Sequence, residues 1–230
     1  MNIVRPLLTA CLVGWAGSAC AQASTFQGAF GQIGVSYESV DPSHASSTLT
    51  VNGSSIAVST SATNANSVTG TTSLGWYQDI AKGLLLGIGA EYSPFAGSRG
   101  SMSVSTATRL PAQLASTYDY RHQKKNSHGI FLSPAITVGT DGLAYAKVGY
   151  TRAKDANYNT LTYNFTGYSL GLGYKQFFNA SWYGFIEANY ARYGDQTQTA
   201  NDPPGGPNIS ASGTNGLATR NGSVGIGYKF

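Results

Sequence analysis

Charge is scarce in this chain. Only 10% of its 230 residues are Asp, Glu, Lys or Arg, against ~25% in soluble domains. The chain is nonetheless not oily, with a mean hydropathy of −0.14. That pairing does not suit a soluble enzyme. Long apolar runs are missing too. After residue 23 no stretch approaches the ~20 apolar residues of a membrane-crossing helix, which excludes a helical membrane bundle. Histidine is sparse: His44, His122 and His128 are the only three. Ser127 and His128 are adjacent, so on a strand their side chains point to opposite faces, which disfavours a direct Ser–His catalytic pair. No metal cluster, phosphate-cradling glycine loop or dinucleotide fingerprint occurs, and no cofactor is expected. The small basic excess is scattered, which is no nucleic-acid footprint.

The two cysteines, Cys11 and Cys20, both fall in a segment with the form of a secretory leader. Arg5 supplies a positive start, residues 7–16 an apolar run, and Ala21-Gln22-Ala23 an A-x-A cleavage site. Gly17-Ser18-Ala19-Cys20 is a poor acylation motif without the usual Leu. Residues 1–23 are therefore expected to be a removed signal peptide and 24–230 the mature domain. That domain would hold no cysteine, hence no disulfide, thiolate metal site or cysteine nucleophile.

What the chain does have is a period of two. At its end, Val224, Ile226, Tyr228 and Phe230 alternate with Ser223, Gly225, Gly227 and Lys229. This is a strand with one oily face that stops on the oily residue. Similar alternation predicts strands at about 28–39, 68–78, 84–93, 118–138, 143–153, 166–176 and 181–193. Links near 79–83, 139–142 and 177–180 are tight. Those at about 40–67, 94–117, 154–165 and 194–218 are long. Within the first long link, 49–58 reads as two short strands around Asn52-Gly53, a type I′ turn signal, so the first two strands are expected to continue as a ribbon. Residues 101–107 alternate likewise. Asp202-Pro203-Pro204-Gly205-Gly206-Pro207 resists regular structure.

Eight strands with alternating short and long links describe a closed antiparallel up-and-down transmembrane barrel. Closure is forced, since an open edge in lipid leaves backbone groups unpaired at several kcal/mol each. Trp76, Tyr92, Tyr150, Tyr168, Tyr174, Trp182, Tyr190 and Tyr228 share the apolar parity near strand ends and are expected to form aromatic girdles. By parity Glu91, Arg121, Lys147 and Glu187 point inward, where an eight-stranded barrel has room for little but side chains. They are expected to form a polar network plugging the lumen. Arg99, Arg109, His122, Lys124 and Lys125 are read as a basic cluster at the rim, positioned for lipopolysaccharide phosphates.

The final strand Gly222–Phe230 and phrases such as Leu170-Gly171-Leu172-Gly173-Tyr174 resemble the small OmpA/OmpX-type family of bacterial outer-membrane β-barrels. The resemblance implies outer-membrane localisation and a monomer. It also implies that Tyr228 and Phe230 are read by the barrel assembly machinery, with periplasmic chaperones on the way. Its partners would be outer-membrane lipid and lipopolysaccharide, and host surface ligands reached through the loops. The function expected is structural or surface-interacting, with a narrow passive channel as the alternative. A lipid A-modifying enzyme, for which lipid-facing His128 is the one candidate group, is disfavoured, and the chain is expected not to be an enzyme.

Overall fold

A computed structural model describes residues 24–95, 97–98, 100–106, 118–157, 162–201 and 209–230. Its strands are β1 (Gly28–Val51), β2 (Ser54–Ala62), β3 (Ala65–Ala81), β4 (Leu84–Ser93) and β5 (Gly100–Thr106). They continue with β6 (Tyr118–Val138), β7 (Gly142–Asn157), β8 (Thr162–Phe177), β9 (Trp182–Asn201) and β10 (Ile209–Lys229). Neighbours are antiparallel throughout, and β10 returns to β1, pairing from Phe30↔Lys229 to Val51↔Ile209. The result is a ring of eight hydrogen-bonded strands, β1, β3, β4, β6, β7, β8, β9 and β10.

The remaining two strands extend this wall. β2 keeps the register of β3 against β1: Val40↔Ala65 and Thr48↔Ala57 fall on one continuous hairpin. Over residues 41–47 of β1 the two sides part, and β2 leans across to β5, from Val58↔Thr106 to Ala62↔Met102. β5 then pairs with β6. The hairpin tip turns at Asn52 and Gly53, both with positive φ (49° and 82°), the backbone that a type I′ turn needs.

The expected long loops are therefore corrected. Much of 40–67, 194–218 and the ends of the other two links is strand that continues past the oily band. The ribbon expected around Asn52-Gly53 is present as β1 and β2, and the alternation at 101–107 as β5. The strand over 194–201 and 209–218 carries no such signal, because above the membrane neither face needs to be apolar. Ser, Thr, Asn and Ala then serve both faces, and only cross-strand backbone pairing marks the strand. The tight links lie where expected, with Gly83 (φ 74°) and Gly139 (φ 66°) making two of them. Residues 1–23, expected to be a signal peptide, and the Pro-rich 202–208 lie outside the described residues.

The exterior carries the apolar side chains: Ile33, Leu74, Ile88, Ile130, Leu172, Ile186 and Val224 are all exposed. Along β9 the outward series runs Trp182, Ile186, Ala188, Tyr190, Arg192. That span matches the ~9–11 residues a tilted strand needs to cross the hydrocarbon. Trp76, Tyr92, Tyr150, Tyr168 and Trp182 stand on the outer face, as do the half-exposed Tyr174, Tyr190 and Tyr228. Tyr228 packs edge-on between Trp182 (5.1 Å) and Phe230 (5.2 Å).

Candidate functional site

The lumen is built in layers, and its glycines explain how rings fit there. Six inward aromatics each lie directly opposite a glycine: Phe30–Gly75, Tyr77–Gly87, Phe131–Gly89, Tyr145–Gly173, Tyr183–Gly227 and Phe185–Gly225. A Cβ at any of these glycines would fall 2.7 Å or less from the ring that covers it. The ring lies flat across the neighbouring strand and fills space that the glycine leaves. Gly227→Ala is expected to cost about 1–3 kcal/mol, the usual penalty of overpacking. A urea series in detergent micelles measures it, and an unchanged midpoint would contradict the packing.

These rings close the periplasmic end. Phe26, Phe30, Tyr77, Leu85, Phe131, Leu143, Tyr145, Phe177, Tyr183 and Phe185 form one buried cluster with Ala135. Lys175 projects into it and is 2% exposed. Its Nζ lies 4.0 Å from the Phe30 ring centre, 4.9 Å from Tyr77, 5.0 Å from Tyr145 and 5.1 Å from Tyr183. Desolvated cation–π contacts of this kind are worth ~2 kcal/mol or more in favourable cases. Tyr77 Oη shares a hydrogen bond with Ser133 Oγ (2.8 Å), and Tyr183 Oη donates to Gln32 Oε1 (3.2 Å).

The central layer is ionic. Lys147 Nζ donates to Glu91 Oε2 (2.7 Å) and to Glu187 Oε1 (2.9 Å). Tyr145 Oη donates to the other Glu187 oxygen (2.7 Å). Asn189 Nδ2 also reaches Glu187 Oε1 (2.7 Å), as well as Asn221 Oδ1 (3.1 Å). Glu187 thus accepts three donors, as a buried carboxylate must. One level up, Lys124 Nζ meets Glu38 Oε2 at 2.6 Å, both buried. Above that lies a second apolar cluster of Val40, Ala65, Ala153, Phe165, Ala191, Tyr193 and Leu217. Between the ionic levels a cavity of about 50 Å³ remains, touched by Glu38, Glu91, Lys124, Lys147, Thr151 and Asn189.

The structure thus brings Glu91, Lys147 and Glu187 together. Arg121 pairs by backbone with Ser101 on β5, above this layer, and its side chain lies outside the described residues. Three further lumen charges stand outside the expected network: Glu38, Lys124 and Lys175. Glu38 has the same parity as inward Gln32 and Ser36, a signal that was there to be read. Lys175 sits between the outward Tyr174 and Gln176, so parity alone places it inside. Lys124 does not belong to the expected basic rim. Instead, a register shift between Lys124 and Asn126 turns it into the lumen. Of the rest of that rim cluster, Lys125 is exposed. Arg99, Arg109 and the His122 side chain lie outside the described residues. His128 faces outward, with Ser127 on the opposite face. Among the described residues no cluster of three or more metal-ligating side chains occurs.

No family model matches this chain, and no curated protein matches it. Solved structures do share its fold. The outer membrane protein OprG from Pseudomonas aeruginosa superposes with a TM-score of 0.56 at 14% identity, covering 90% of this chain and 98% of that one. The attachment invasion locus protein Ail of Yersinia pestis, solved with the heparin analogue sucrose octasulfate, gives a TM-score of 0.40 at 10% identity over 89% of this chain and 100% of that one. The outer membrane protease OmpT from Escherichia coli gives 0.49 at 10% identity over 91% of this chain and 99% of that one. The protease corrects one expectation: since an enzyme is found among these barrels, the expectation that this chain is not an enzyme does not stand. Small outer-membrane barrels of the OmpA/OmpX kind have this architecture. With its closed ring and oily exterior, the chain is an integral protein of the bacterial outer membrane.

Proposed function

We propose that the protein is a non-conducting barrel that engages ligands at the cell surface through the sheet extending above the membrane. The observation that carries this reading is the filled lumen. Aromatic rings, two ionic levels and a second apolar cluster occupy it in turn. The cavity of about 50 Å³ has room for only a few waters at ~10–15 Å³ each. The wall, meanwhile, continues well beyond the oily band and presents hydroxyl-rich, weakly charged faces. Thr197 and Thr214 share a hydrogen bond (2.9 Å), and Thr199 donates to Ser212 (3.5 Å), as rungs across β9 and β10. Neutral polar surface of this kind suits contact with proteins or glycans rather than nucleic acid.

In this reading the barrel is a monomer, exported by the leader at residues 1–23. Periplasmic chaperones carry it to the assembly machinery, for which outward Tyr228 and Phe230 are the signal. Two measurements test the function. Liposomes carrying the full chain are expected to show no steady solute flux; sustained swelling would make it a channel. Cells displaying the full chain are expected to bind immobilised matrix or serum proteins. Cells displaying a chain whose tip, residues 48–57, is shortened to a bare Asn-Gly turn are expected not to. Equal binding by both sinks the surface role of the tip.

A further inference from the structure

The outward faces of β9 and β10 carry two arginines above a trough of small residues. Arg220 lies opposite Tyr190, and Arg192 opposite Ala218. The two arginines are therefore diagonal neighbours on adjacent strands, ~7–8 Å apart between α-carbons, and side chains this long can reach one point. Arg220 is 72% exposed and touches Asp41, Nη1 to Oδ2, at 3.5 Å. Ser39 Oγ donates to the other Asp41 oxygen (3.2 Å). Arg192 is exposed and has no ion pair among the described residues. The one ion pair shown here joins Asp41 to Arg220, and Arg192, which has none among the described residues, leaves positive charge over.

Below them the wall is thin. Gly222 and Ala188 pair across β9 and β10 on the outer face, and a Cβ at Gly222 would meet nothing within 4 Å. Tyr37, Leu170, Leu172 and Tyr190 rise around this gap, leaving an apolar trough of about 870 Å³ with Arg220 in its lining. The arginines stand at the extracellular edge of the oily band, Arg192 two residues beyond the outward Tyr190. The same spacing recurs on β7, where Arg152 follows Tyr150 and exposed Lys154 comes next. The other half of the ring is different: near that edge the outward residues of β1, β3 and β4 include Ser39, Val68 and Tyr92. The charge is therefore one-sided, as a site would be, rather than a uniform collar.

An apolar trough opening to lipid, headed by surplus guanidinium charge at the outer-leaflet interface, suits a lipid with acyl chains and a doubly charged head. A phosphate monoester carries about −1.5 to −2 at neutral pH and accepts the planar guanidinium fork on two oxygens. A phosphodiester carries a single charge. We propose that Arg192 and Arg220 hold a phosphate of the phosphorylated glycolipid of the outer leaflet, with one of its acyl chains in the trough at Ala188 and Gly222.

The full chain in neutral detergent, titrated with diphosphoryl lipid A, dephosphorylated lipid A or phosphatidylglycerol, tests this by native mass spectrometry. Diphosphoryl lipid A is expected to be retained at about tenfold lower concentration than either other lipid, the scale of one or two charge-assisted hydrogen bonds. R192Q/R220Q is expected to lose that preference. Gly222→Leu, which fills the trough in open space, is expected to weaken retention with both arginines intact. Lys82→Gln, at an exposed lysine of the periplasmic rim, is expected to change nothing. Heat-modifiable migration shows that each variant is folded. Retention unchanged in R192Q/R220Q, phosphatidylglycerol held as well as lipid A, or an equal loss in Lys82→Gln would each overturn the site.

Discussion

Lys147→Met is expected to destabilise the barrel by about 3–5 kcal/mol, the range for removing one partner of a buried ion pair. The reason is the carboxylate it strands. Glu187 keeps Tyr145 and Asn189 as donors but loses its only counter-charge within bonding distance among the described residues, at a side chain 3% exposed. Glu91 loses the same lysine but is 29% exposed, so water can hydrate it. The penalty should therefore sit mostly on Glu187. Adding Glu187→Gln to Lys147→Met is expected to recover most of the lost stability, and adding Glu91→Gln much less. Urea unfolding in lipid vesicles, followed by the heat-modifiable gel shift, gives the four values needed. A Lys147→Met cost below about 1 kcal/mol, typical of exposed pairs, or equal rescue by the two glutamines, would refute the buried-network account. The triple replacement by neutral side chains is expected to come close to wild type, because removing every member of a buried ionic group is often neutral.

Val224→Arg is expected to cost about 2–4 kcal/mol, the price of a cation near the bilayer midplane on a barrel's lipid face. Val224 is 60% exposed, so in water the same change would be nearly free. On the outer face of β10 it lies between Gly222 and Ile226, well inside both aromatic rims. Thr199→Arg, on the part of β9 that continues past the membrane, is expected to change stability by no more than about 0.5 kcal/mol. The contrast locates the hydrocarbon boundary along the wall. Folding into vesicles with titrated urea measures both. Similar costs at the two sites would mean that the oily band does not end near Arg192 and Arg220, and would remove the interfacial setting of the proposed lipid site as well.

The barrel was legible because lipid imposes the rule that makes strands readable. Where one face meets hydrocarbon, every second residue is apolar, and β4 and β6 came out with the bounds the alternation predicts. Parity also assigned the sides: Glu91, Lys147 and Glu187 point inward and meet. Two kinds of information escaped. The first is strand length above the membrane in the last pair, where the upper parts of β9 and β10 are rich in Gln, Thr, Ser and Asn and mutual backbone bonding holds them extended. The second is parity across an irregularity. The shift between Lys124 and Asn126 sends Lys124 to Glu38 rather than to the rim, and nothing in the local sequence announces it.

By itself, then, the sequence determined the fold class, the strand order, the tight turns and which face of each membrane strand meets lipid, because these follow from a period of two and from the need to leave no backbone group unpaired in hydrocarbon. Only the tertiary structure decided who meets whom across the lumen. Pairing depends on the shear between strands, which sets the heights at which Lys175 finds its four rings, Lys147 its two carboxylates and each inward aromatic its glycine. Height around a closed ring is a property of all eight strands together, and no single strand's pattern encodes it.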